Sequence, residues 1–183
     1  MATAGPTRDA AGQTSFDDYE IANGTVVFGS NVGTGTHTNG PGEYSFNGNQ
    51  INSNTANLNG SALRVGDGGI VAGEDNELST TQNYANALYV FGTGTVELTG
   101  GSLTTSGEWA FGAYAKGGGS IELTDTAITT TGNRAFGLQA ETGGQITTWN
   151  VTIETSGPNA HGVQAYDTVD GKVSEIYLTG GSI

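Results

Sequence analysis

The sequence predicts an all-β fold: a right-handed parallel β-helix of about six laps, each of roughly 25 residues, with a cap at its N-terminal end. Three observations carry this. Alanine recurs at 85, 110, 135 and 160, a constant step (110 − 85 = 135 − 110 = 160 − 135 = 25). Each period holds three short runs in which apolar and polar residues alternate, with turn residues between them, the pattern of strands buried on one face. No run of ten or more residues has helical apolar spacing. At about 3.3 Å per residue, three such strands close one lap and return above its start. Equivalent residues then stack in parallel register, and parallel crossovers strongly favour the right hand.

Taken in order, residues 1–15 are small and polar and are expected to form a flexible N-terminal segment. Residues 16–55 are expected to form the cap and the first irregular laps. Within them, FDDYEIANGTVVFGS (16–30) is the first strand-like region, and NVGTGTHTNGPG (31–42) reads as a protruding loop. Tyr44, Phe46 and Ile51 begin a lap of looser length.

Residues 56–183 are expected to be the regular laps. The first strand of each carries Leu63, Leu88, Ala113, Leu138 and Val163. The second carries Val71, Val96 and Ile121, and the third Leu78, Leu103, Ile128 and Ile153. Glycine-bearing corners such as GTGT (92–95), GGGS (117–120) and TGGQ (142–145) separate the first strand from the second. Simple alternation through AFGLQA (135–140) puts Phe136, Leu138 and Ala140 on the inner face. That predicts an inner column of Asn86, Phe111, Phe136 and His161. It also predicts an outer column of Arg64, Tyr89, Tyr114, Gln139 and Gln164, with Tyr89 and Tyr114 as an exposed aromatic strip. After the last full lap, YDTVDGK (166–172) replaces a tight corner. The step from Ile146 to Val173 is 27 and that from Ile153 to Ile183 is 30, so an insertion of two is expected there and three more further on. The final GGSI repeats GGSL (100–103), which reads as a piece of a longer solenoid.

Glycine accounts for 32 of 183 residues and proline for 3, a balance that suits many tight corners rather than a linker. A formal charge of −13 with five basic residues disfavours nucleic acid and anionic membranes. No apolar run approaches the length of a membrane-spanning helix. Cysteine is absent, so neither disulfides nor thiolate metal sites are available.

No catalytic residue, metal ligand or cofactor site is expected. The G-x-S-x-G elbow is missing, and the two histidines, His37 and His161, are too few for a base-and-metal set. Glu97 and Glu122 stack one lap apart and are the nearest thing to a carboxylate pair. The plainer reading is a solvated ladder, because Thr147 follows them and no basic residue is aligned beside them. GEDNE (73–77), with Asp67 nearby, is an acidic corner without the ordered spacing of a calcium loop. The candidates for partner binding are Tyr89, Tyr114, Gln139 and Gln164 of the outer column, Tyr166, Asp167 and Asp170 of the insertion, and His37 of the 31–42 loop.

AFGAYAKGGGSIELTDTAITTTG (110–132) and AFGLQAETGGQITTWNVTIETSG (135–157) have a shared order: A-x-G-h-x-A, a glycine corner, then two strands. In this they resemble the passenger domains of Gram-negative autotransporters of the pertactin-like class. The resemblance covers 56–183 well and 16–55 weakly. It implies a protein exported through the outer membrane and either secreted or displayed on the bacterial surface, with an export signal before it and an outer-membrane barrel after it. It implies a role in adhesion, aggregation, host-receptor binding or toxicity; with a regular scaffold, loop insertions and no acid, base or nucleophile set, the expectation is a non-enzymatic virulence factor or adhesin binding a host cell-surface protein or glycan, or self-associating with neighbouring bacteria. A carbohydrate-active β-helix enzyme using Glu97 and Glu122, or an inert stalk, are the alternatives.

Overall fold

The computed structural model describes the backbone of residues 14–16, 18–22, 25–28, 35–39, 42–47, 49–53, 60–66, 68–167, 169 and 171–183, and side chains from residue 60 onward. Residues 1–13, Asp67 and Asp170 lie outside the described residues.

The N-terminal strands are β1 (Thr14–Phe16), β2 (Asp18–Ala22), β3 (Thr25–Phe28), β4 (Gly35–Asn39), β5 (Gly42–Asn47) and β6 (Asn49–Ser53). Then come triplets, one per lap. The first is β7 (Leu63–Gly66), β8 (Gly69–Glu74) and β9 (Glu77–Thr80), and the second β10 (Leu88–Phe91), β11 (Thr95–Thr99) and β12 (Ser102–Thr105). The third is β13 (Ala113–Lys116), β14 (Ser120–Thr124) and β15 (Ala127–Thr130), and the fourth β16 (Leu138–Glu141), β17 (Gln145–Trp149) and β18 (Thr152–Thr155). The last lap has β19 (Val163–Tyr166) and β20 (Glu175–Thr179).

Like strands of successive laps pair in parallel and build three sheets, of six, eight and six strands. Leu63, Leu88, Ala113, Leu138 and Val163 are successive register partners, as the repeat requires. The fold is therefore a parallel β-solenoid. It has about four turns rather than six, because the regular period runs from Leu63 only to Val163 (163 − 63 = 100). Upstream the spacing changes. Thr36 pairs with Leu63, a slightly longer lap (63 − 36 = 27), while Asp18 pairs with Gly35, too close in sequence for a lap (35 − 18 = 17). β3 runs antiparallel to β2 at the end of the eight-stranded sheet, so parallel stacking stops there.

The expected loop at 31–42 is not one throughout: Gly35–Asn39 is a strand between β2 and β7. Its Thr36 and Thr38 occupy the register positions of Leu63 and Val65. Threonine is β-branched and suits a strand even where glycine and asparagine surround it.

The core is one aliphatic cluster running along the axis. Leu63, Leu88 and Leu138 face Val71, Val96, Ile121 and Ile146 of the second strands and Leu78, Leu103, Ile128 and Ile153 of the third. Each large side chain so buried contributes roughly 1.5–3 kcal/mol before entropy. Phe111 and Phe136 are not part of this cluster, so their expected place in the inner column is corrected. The cause is local. The extended strand starts at Leu138, and the chain bends at Gly137. A Cβ built on Gly137 would fall on Cγ2 of Ile153, and one on Gly112 on Cγ2 of Ile128. The glycines therefore face the core and alternation slips by one. Phe111 and Phe136 stack on each other outside the aliphatic cluster, rings 5.2 Å apart and 12° from parallel. His161 ends that column, exposed and 5.1 Å from Phe136.

Corners repeat as strictly as strands. Left-handed backbone occurs at Tyr84, Trp109, Arg134 and Asn159; at Gly92, Gly117 and Thr142; and at Asp75, Gly100, Asp125, Asn150 and Gly180. At the corners before β13 and β16, threonine hydroxyls close the turn from inside. Thr105 donates to the carbonyl of Ala110 at 2.7 Å, and Thr130 to that of Ala135 at 2.9 Å.

Candidate functional site

The outer face of the first-strand sheet gathers most of the candidates. Tyr89, Tyr114, Gln139 and Gln164 follow one another in register, as expected. The first three are not exposed, however: Tyr89, Tyr114 and Gln139 retain 6%, 5% and 1% of their surface. The side chains lie down along the sheet and cover one another. Tyr89 stacks on Tyr114 at 5.1 Å and on Phe91 at 5.2 Å, and Phe111 stands edge-on to Tyr114 at 5.4 Å. The Arg64 guanidinium sits 4.6 Å over Phe91. Gln139 Oε1 is buried without a hydrogen-bond partner, so no glutamine ladder forms through that oxygen.

Two residues further along the same strands stands a second column: Phe91, Lys116, Glu141 and Tyr166. Glu141 is buried and is the hub of this face. Tyr114 donates its hydroxyl to Glu141 Oε2, Lys116 Nζ lies 3.0 Å from Oε1, and Tyr166 also hydrogen-bonds the carboxylate. Burial pushes the Glu141 carboxyl up, but these hydrogen bonds and the lysine charge outweigh it and hold the group below the ordinary glutamate range. The tyrosines respond oppositely: burial first, then the bond to Glu141, pushes the Tyr114 hydroxyl far up, and Tyr166 moves the same way. A carboxylate with three donors from the laps on either side of its own is a clasp across rungs. The one-period spacing of Lys116 and Glu141 is its signal in the sequence.

Tyr166 and Asp167 are exposed at the start of the insertion. The insertion is placed differently from expectation. Ile146 pairs with Ile176, not Val173, so the whole excess over a regular lap (30 − 25 = 5) lies between Tyr166 and Glu175. Val173 is left exposed. Asp167 folds this loop. It accepts from the Ser174 backbone N–H at 3.1 Å and hydroxyl at 2.5 Å, and from the Gly143 N–H of the lap before at 3.3 Å. The Ser174 bond foremost holds its carboxyl below the ordinary aspartate range. His37 lies in β4 opposite Arg64 rather than in a loop. Glu97 and Glu122 are register partners and both exposed, as the ladder reading expects. Among the described residues, no three histidine, aspartate or glutamate side chains converge as a metal site would need.

One column escaped the sequence reading. At the corners before β10, β13, β16 and β19, the chain makes a β-turn closed by Ala85 N–H to Gln82 C=O, Ala110 to Gly107, Ala135 to Gly132 and Ala160 to Gly157. The third residue of each turn has φ of 61° at Tyr84, 55° at Trp109, 54° at Arg134 and 56° at Asn159. Arg134 lies 5.2 Å over the Trp109 ring, and Trp109 stands edge-on to Phe136 at 6.4 Å. A polar ladder runs alongside. Asn83 Oδ1 accepts from the Glu108 N–H at 2.9 Å, and Asn133 Nδ2 donates to Glu108 Oε1 at 2.9 Å. Four dissimilar side chains at one position make no repeat that a hydropathy pattern reveals, and only Asn159 advertises a left-handed turn.

Compared with protein-family models, curated proteins and solved structures, the chain finds no match.

Proposed function

We propose that the chain is part of an autotransporter-like passenger, exported to the bacterial surface or released from it, that binds host cells, a host receptor or neighbouring bacteria without catalysing a reaction. The observation that supports this reading is the solenoid's outer surface. Outward side chains recur at one-rung spacing on a rigid core, and aromatic ones stand exposed at Tyr84, Trp149, Tyr166 and Tyr177. A surface of this kind suits extended contact with a partner better than it suits a closed reaction chamber. The resemblance of 56–183 to pertactin-like passengers supports the export route.

The test is adhesion of the purified chain to epithelial cells and to bacteria, beside a variant whose insertion (167–174) is shortened to a two-residue turn. Saturable binding by the parent supports the adhesive reading, and its absence favours an inert stalk. Incubation with a panel of acidic and neutral glycans tests the enzymatic alternative. Product formation that disappears in the Glu97→Gln, Glu122→Gln double variant would overturn the non-enzymatic reading.

A further inference from the structure

We propose that the edge carrying Tyr84, Trp109 and Arg134 is a binding strip for a neutral, linear oligosaccharide lying parallel to the solenoid axis. The proposal rests on the adhesive reading and gives it a site and a ligand class.

Backbone strain is the first argument. The third position of this turn requires positive φ, where glycine and asparagine are the ordinary occupants. The fourth lap complies with Asn159. The three before it place Tyr84, Trp109 and Arg134 there instead. Each such residue costs about 1–2 kcal/mol of backbone strain. The corner itself does not need them, since Asn159 closes the same turn with the same hydrogen bond. The large side chains are therefore kept against a local penalty, and strain of this kind concentrates at binding sites.

Presentation is the second. Tyr84 keeps 52% of its surface, and Arg134 is exposed. Trp109 is held between the Arg134 guanidinium and the edge of Phe136, so its ring is oriented before any ligand arrives. The chemistry beside the rings is the third. Asn83, Glu108 and Asn133 are locked in one ladder that Asn159 Nδ2 extends to Asn133 Oδ1 at 3.3 Å, yet amides and carboxylates have more hydrogen-bonding capacity than these contacts use. The exposed Tyr84 ring and the Trp109 face opposite Arg134, beside fixed amide and carboxylate groups, match the C–H faces and hydroxyls of a pyranose chain.

Size and charge choose the occupant. From Tyr84 to Asn159 is three rung steps, roughly 14 Å. A strip of that length and one side chain's width covers far less than the ~800 Å² per partner of a stable protein interface, but it is long enough for a few sugar units. A charge of −13 disfavours a polyanionic glycan.

The experiment uses the full chain. Trp109 and Trp149 are its two tryptophans, so Trp149→Phe leaves Trp109 as sole reporter. Cellohexaose, laminarihexaose and N-acetylchitohexaose are titrated by fluorescence and by calorimetry, with a heparin hexasaccharide as the anionic comparison. At least one neutral hexasaccharide is expected to shift Trp109 emission saturably. Tyr84→Asn and Trp109→Asn should each weaken its affinity at least about tenfold. Because asparagine relieves the left-handed strain, Tyr84→Asn should melt no lower than the parent, while Trp109→Asn, which also gives up the contacts with Arg134 and Phe136, should keep the parent's β-sheet circular dichroism at the titration temperature. Failure of all three neutral glycans to bind, binding of heparin alone, or unchanged affinity in both variants overturns the proposal. Cell adhesion separates it from the broader reading. Adhesion that persists in both variants removes the strip and keeps the adhesin, whereas glycan binding without cell adhesion does the reverse.

Discussion

At the scale of single residues, the core is matched in volume across each rung. Ala87 shares the core with Leu103, whereas Gly112 meets Ile128 and Gly137 meets Ile153. A leucine branches one carbon later than isoleucine, so it leaves room for the alanine methyl that Cγ2 of isoleucine denies. Gly112→Ala should therefore lower stability by about 1–3 kcal/mol in urea denaturation, through overpacking. Adding Ile128→Leu should recover the part of the loss due to Cγ2 but not the part due to the Gly137 carbonyl oxygen, which an added Cβ also meets, and a double-mutant cycle without coupling would refute the pairing. Glu141 gives a second residue-scale prediction. Its carboxyl is held below the ordinary glutamate range in the folded chain, so between that lowered value and about pH 4.3 the unfolded chain binds more protons. The contribution is complete above about pH 4.3 and is lost as pH falls through the folded value. Glu141→Gln should cost roughly 1.5–3 kcal/mol at pH 7, read from urea midpoints, and should flatten the acid limb of the stability profile. Lys116 and Glu141, one period apart, were legible as rung neighbours; the burial of Glu141 was not, because it depends on Tyr114 and Tyr166 closing over it.

At the scale of elements, strands were easier to read than corners. Period-2 alternation located the first, second and third strands because most inner positions are aliphatic, and the register partners fall where the repeat puts them. The bend at Gly112 and Gly137 broke that rule, and with it the placing of Phe111 and Phe136. Alternation holds only within extended backbone, and nothing in AFG announces that extension begins after the glycine. The insertion shows a similar limit. Its length was legible from Ile153 and Ile183, but Ile176 and Val173 are equally apolar, and only pairing with Ile146 chooses between them. Asp167 then has a testable structural role. Asp167→Asn weakens the bonds to Ser174 and Gly143, so trypsin should cleave after the exposed Lys172 several-fold faster than in the parent. An unchanged cleavage rate, followed by mass spectrometry under native conditions, would show that the loop is held by other contacts.

At the scale of the whole molecule, stability is distributed along an axis instead of around a centre. Each lap contacts only the laps on either side of it, so inner laps are held from both directions. Leu138 is fully buried between Ala113 and Val163, whereas Val163 is only partly buried. Leu138→Ala should lower stability by about 2–5 kcal/mol, and Val163→Ala by clearly less. Amide exchange should follow the same gradient, with the slowest amides in Leu88–Phe91, Ala113–Lys116 and Leu138–Glu141 and faster ones in Glu175–Thr179. Equal exchange in all laps would mean a single cooperative unit. The sequence by itself determined that the chain is a parallel β-solenoid, because a constant 25-residue period of three alternating strands buries its aliphatic positions when successive laps stack. The tertiary structure alone decided which outward residues meet solvent. Tyr89 and Tyr114 stand in the outer column and are nonetheless covered, while Tyr84 is exposed and Trp109 half-buried at a strained corner. The reason is that inward or outward direction follows from backbone alternation, whereas exposure depends on whether side chains from adjoining rungs fold down over one another, and that is settled only when the laps stack.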